Sequence, residues 1–114
     1  MPALDIETAR AALLAERARL HAEVAETINP PDTMTYGSQA AAASQVFEQQ
    51  RDLALRDRAR QQLELVAAAL ERLDGGTFGI CQRCGRPIAP ERLEALPWAA
   101  HCIECQREIG RGAR

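Results

Sequence analysis

Apolar positions along this chain recur at helical spacing in two long stretches and lose that rhythm in a third. Between residues 3 and 29, Ile6, Leu13 and Leu20 repeat every seven residues, with Ala9 and Val24 on the half-steps, as in a helix with one narrow apolar seam. Arg10 and Arg17 fall near that seam and make it imperfect. In the second stretch Leu63, Val66, Leu70 and Leu73 step by three, four and three, which continues a heptad seam on a second helix. Gly and Pro are absent from residues 3–29 and 38–74, so neither stretch carries a helix breaker. The Asn29-Pro30-Pro31-Asp32 run ends the first helix, and Asp74-Gly75-Gly76 supplies a left-handed cap for the second. Two long helices joined by a turn make an antiparallel hairpin, residues 1–74, with its tip at about 30–44. A three-helix bundle would need a third segment of similar length, and none is present.

Six of the seven glycines lie at or beyond Gly75, which marks residues 75–114 as a separate small module ending in a short helix. Of the 114 residues 46% are hydrophobic, but 22 are Ala and only Tyr36, Phe47, Phe78 and Trp98 are aromatic, too little bulk for a compact α/β core. The predicted fold is therefore mainly α: an antiparallel coiled-coil hairpin followed by a small four-cysteine module. Net charge is −2, and all 14 bases are Arg, so generic attraction to nucleic acid is not expected. No stretch is apolar enough for a membrane span, and the N-terminus lacks the order of a signal peptide, so a cytoplasmic location is expected.

The strongest motif is Cys81-Gln82-Arg83-Cys84, then 17 residues, then Cys102-Ile103-Glu104-Cys105. Two such pairs fit a tetrahedral four-thiolate zinc site, because each supplies two sulfurs from one tight knuckle. Four sulfurs leave no position open for water, so one structural Zn²⁺ is expected, contributing folding free energy rather than catalysis. Paired redox dithiols or an iron–sulfur cluster are the other chemistries of this spacing. Gly85 suits a knuckle that needs positive φ. His101 and His21 are read as non-ligands. Phe78 and Trp98 bracket the cysteines and are expected to cover them, and Arg83 and Arg86 to offset thiolate charge. Nothing pairs a nucleophile with a base, so no enzyme is expected.

With these residues placed, residues 81–105, together with Gly76-Thr-Phe-Gly-Ile80, the run 92–98 and Leu55-Arg-Asp-Arg-Ala-Arg60, resemble the DksA/TraR family of zinc-finger, RNA polymerase-binding regulators over residues 44–105. The resemblance implies a hairpin inserted into the polymerase secondary channel, its tip near the catalytic centre, without sequence-specific DNA binding. The family's paired tip aspartates fall at Ser38 and Ala41, so both carboxylates are missing, while Ala43 stands where the family carries a tip Ala. Asp32 of the turn is the alternative source of a carboxylate to the expected neutral tip. Positions implied to bind the alarmone ppGpp are Leu65, Leu96 and Gln106, which cannot pair with phosphate, so ppGpp is not expected to bind tightly. Arg56, Arg58 and Arg60 are candidate partner contacts, or else a solvated face paired with Asp52 and Asp57. The alternative function is a structural, adaptor or self-associating zinc-binding protein.

Overall fold

The structure is a computed structural model that describes the backbone of residues 5–28 and 39–112 and the side chains of residues 5–25 and 42–112. Helix α1 spans Ile6–Ile28 and α2 spans Gln39–Gly75, followed by α3 at Pro90–Ala95 and α4 at Ile103–Gly112. At about 1.5 Å per residue α2 is roughly 55 Å long. That length sets the shape: the molecule extends 62 × 34 × 22 Å with a radius of gyration of 19.0 Å, where a compact domain of 100 residues has about 13 Å.

Helix α1 starts at Asp5, whose carbonyl accepts the Ala9 N–H at 2.9 Å and whose carboxylate faces the Thr8 hydroxyl at 3.4 Å. Helix α2 closes as its terminal glycines require. Gly76 takes φ +80°, and the Thr77 N–H donates to the Arg72 carbonyl at 2.9 Å, the six-to-one bond of a Schellman cap. The helices run antiparallel, since Arg10 near the start of α1 pairs with Asp74 at the end of α2 at 3.0 Å.

Ala9, Leu13 and Leu20 of α1 are buried against Ala59, Val66, Ala69 and Leu73 of α2, with Val24, Leu63 and Leu70 half-buried beside them. The alanines at this seam have no side-chain bulk beyond Cβ, which permits the helices to lie close while burying little area per residue. Ile6, expected in the seam, is 53% exposed. The Arg10–Asp74 pair sets the register, so Ile6 lies one turn beyond the point where α2 has ended and has no facing helix. Towards the other end, the α2 seam continues in heptad register as Arg56, Asp52 and Gln45, all half-buried and polar. Residues 42–44, placed at the tip by the sequence, are exposed and already helical. Ser38, Asp32 and the Ala41 side chain lie outside the described residues.

Beyond Gly76 the chain forms a compact knot on the open end of the hairpin. Among the described residues its only β pairing is an isolated antiparallel bridge between Ile80 and Pro87. Cys81, Ile88, Leu93, Ala99 and Cys105 form its core, with Phe78, Leu96 and Cys102 partly buried against them. Phe78 also packs against the hairpin core, so it joins the two clusters. The Arg72 guanidinium reaches from α2 to the Trp98 and Ala99 carbonyls, both at 3.4 Å, and its burial there pulls its pKa down. The expectation that Trp98 covers the cysteines is corrected: its ring packs on the α1–α2 core.

Candidate metal centre

The first knuckle is shaped by backbone bonds. Cys81 N–H donates to the Arg86 carbonyl at 2.8 Å and Gly85 N–H returns to the Cys81 carbonyl at 3.0 Å. Gly85 sits at φ +75°, as the sequence required, because a side chain would be strained there. Gln82 N–H donates to the Ala100 carbonyl at 2.8 Å, which fastens this knuckle to the segment leading into Cys102. Ile103 then opens α4, so Cys105 sits in the first turn of that helix and Cys102 immediately before it. Two segments separated by 17 residues thereby aim four sulfurs at one point.

The Sγ atoms of Cys81, Cys84, Cys102 and Cys105 all lie within 4.8 Å of one another. Those of Cys84 and Cys102 are 3.9 Å apart, far beyond a disulfide bond. Tetrahedral zinc with bonds of about 2.3 Å needs sulfurs about 3.8 Å apart, so the arrangement fits a four-thiolate ion with little adjustment. Convergence on one point argues against two independent dithiols. Cys81 and Cys105 are buried, Cys102 is half-buried and Cys84 is exposed.

The two buried sulfurs have opposite electrostatics. Burial works to raise the Cys81 thiol, but the backbone N–H groups of Cys84, Cys102 and Arg83 directed at its sulfur outweigh it and hold the pKa at about 5. At Cys105 burial dominates and pushes the pKa up to about 12, opposed by the Arg83 guanidinium. The four sulfurs are close enough to titrate together, and a cation among them would favour the thiolate form of the whole group.

His101 is half-buried and stands outside the sulfur group, with its carbonyl accepting Arg92 Nε at 3.1 Å. His21 is an exposed residue of α1. Of the candidate contact residues, Ala43, Arg58 and Arg60 are exposed. Arg56 is half-buried in the seam register, and its Nε is buried with no hydrogen-bond partner among the described residues. The three arginines therefore do not form one surface cluster, and the described ion pair of Asp52 is with Arg51, at 3.9 Å. Leu65 is exposed, Leu96 half-buried and Gln106 exposed.

Residues 76–109 match the family described as prokaryotic dksA/traR C4-type zinc finger. Beyond that segment, the chain is 32% identical over 112 residues to the RNA polymerase-binding transcription factor DksA of Caulobacter vibrioides, covering 96% of this chain and 79% of that one. The chain belongs to the DksA/TraR family. A solved structure of transcription factor DksA2 from Pseudomonas aeruginosa superposes with a TM-score of 0.72 at 32% identity, covering 96% of this chain and 86% of that chain. An uncharacterized protein of Aquifex aeolicus is 49% identical over 43 residues, 38% of this chain and 30% of that protein's length. The similarity thus extends beyond residues 44–105, the range carried by the motifs alone, and takes in most of the hairpin.

Two features of the site left no trace in the motif spacing. Arg83 of the first knuckle pairs with Glu108 of α4, and Arg72 is bonded to the loop before Cys102. Both join residues at least 25 positions apart, so only the folded knuckle brings them together.

Proposed function

We propose that this chain is a transcription regulator that binds RNA polymerase through its helical hairpin, with one structural zinc ion held by Cys81, Cys84, Cys102 and Cys105. The observation that carries the reading is the 32% identity to a polymerase-binding DksA across 96% of this chain. The geometry supports it: a rod about 55 Å long is anchored to a four-sulfur foot and is slender enough to enter a deep channel.

Cys81, Cys84, Cys102 and Cys105 would fill a tetrahedral shell and leave no open position, so the ion would act on folding and not on chemistry. The working surface is then shape. With Ser38 and Ala41 at the positions of the family's paired acids, this tip cannot compete with the metal ion of a catalytic centre as a carboxylate would. The regulator would act by favouring one state of the promoter complex through differential affinity. Arg58 and Arg60 are exposed on α2 and available to acidic surface of the polymerase. Leu65, Leu96 and Gln106 offer no cation, which supports the absence of a tight ppGpp site. No helix among the described residues is long and apolar enough to cross a membrane. Work on polymerase would place the chain in the cytoplasm.

Co-purification with core RNA polymerase tests the reading, using Ala43→Trp as a tip probe and Cys84→Ser as a zinc control. Wild type is expected to co-purify, and Ala43→Trp to lose binding because a bulky ring at the tip would clash within the channel. Unchanged binding by Ala43→Trp would discard channel insertion, and failure of wild type to bind would discard the polymerase itself.

A further inference from the structure

Arg83 occupies the middle of the first knuckle, between two candidate ligands, yet its side chain leaves that knuckle. It forms an ion pair with Glu108, 25 residues away on α4. Glu108 lies three residues after Cys105, so both share one face of α4 a single turn apart. The guanidinium therefore crosses the gap between the two halves of the site along the side where Cys105 is buried. The Arg83 guanidinium also favours the charged form of the Cys105 sulfur, against the effect of burial.

We propose that Arg83, oriented by Glu108, is the positioning residue that retains the metal ion, bracing the first knuckle against α4 and offsetting the charge of Cys105. Four thiolates on one divalent cation leave a formal charge of about −2, which a cation outside the ligand shell reduces without competing for a sulfur. As a plain ion pair between half-exposed groups the contact would stabilise little. Its value comes from position, because loss of zinc requires the two knuckles to separate and this pair spans them. The planar guanidinium meets a carboxylate through a fixed fork, whereas an ammonium is a point charge without that geometry, so Lys would keep the charge and lose the orientation. The proposal rests on the zinc reading above, and on no other feature of the function.

The test is the rate of zinc transfer from the purified, zinc-loaded full chain to excess chromogenic chelator, after the zinc content of wild type has been measured. Wild type without stoichiometric zinc would overturn the zinc reading itself, before any variant is compared. Arg83→Ala is expected to release zinc on the order of tenfold faster, while the helical signal of α1 and α2 is retained. Glu108→Ala should act in the same direction but less, and the double variant should release no faster than Arg83→Ala. Arg83→Lys should fall between wild type and Arg83→Ala. Release from Arg83→Ala at the wild-type rate, or a double-variant effect equal to the product of the two singles, would overturn the proposal. If Arg83→Ala is purified without metal, cobalt(II) titration of the apo chains decides: affinity on the order of tenfold or more below wild type supports the retaining role, and equal affinity overturns it.

Discussion

Leu13 is fully buried on α1 while its neighbour Leu14 is exposed, so one step along the helix separates core from surface. Replacing Leu13 by Ala removes its packing against the α2 seam and should cost about 2–5 kcal/mol, whereas Leu14→Ala should change stability by less than about 0.5 kcal/mol; urea titration of the two variants measures the difference. Charge contributes at the same scale. The side-chain bond from Arg19 holds the Glu16 carboxyl below its ordinary range, and Arg19 also reaches Glu23 at 2.8 Å. A depressed folded-state pKa means stability that is present above the ordinary carboxylate pKa and lost as pH falls through the folded value. Wild type should therefore be more stable than Glu16→Gln at neutral pH, with the gap closing below about pH 4, as read by thermal melts across pH. The spacing of Glu16, Arg19 and Glu23 by three and four is visible in the sequence as helix-surface pairing. The pairing of Arg83 with Glu108 is not, because nothing in a linear pattern tells which side chain will bridge two knuckles.

Among the elements, α2 carries two kinds of seam. From Ala59 to Leu73 it is apolar and packed on α1, but Arg56, Asp52 and Gln45 continue the same register towards the tip. The apolar heptads are legible from Leu63 onward, since hydrophobic periodicity reports the residues that bury. The polar continuation reads as surface in the sequence, where Arg56 groups with Arg58 and Arg60, because a charged residue in seam register looks like any solvated one until its facing helix is placed. Ile6 departs in the opposite sense: its register is right, but α2 ends before reaching it. The buried Arg56 Nε without a partner among the described residues is a cost that a hydrocarbon of similar length would not incur. Arg56→Leu is accordingly expected to stabilise the hairpin by about 1 kcal/mol and raise the melting temperature by a few degrees, about 4–8 °C per kcal/mol for a domain of this size. A lower melting temperature would mean that Arg56 makes contacts that hold the hairpin together.

For the molecule as a whole, two cores of different origin are joined end to end through Phe78 and Arg72. The hairpin core is helical packing, whereas the second core contains two of the four cysteines and depends on what they bind. The four-cysteine constellation and the long helices bounded by Pro and Gly make this architecture legible in the sequence, since metal spacing and helix breakers are local signals. The docking of Trp98 on the hairpin is not legible there, being a long-range contact with no periodicity of its own. Chelation should unfold residues 75–112 while the circular dichroism of α1 and α2 largely persists, because structural zinc contributes roughly 10–16 kcal/mol to such modules. Protons compete with the metal for the same sulfurs, so acid should release the ion and produce the same partial unfolding. Hydrogen exchange on the zinc-loaded chain, with and without core RNA polymerase, tests the central claim most directly. Protection concentrated at the start of α2, around residues 42–58, is the predicted result, and a complex that protects only residues 76–109 would contradict insertion of the hairpin.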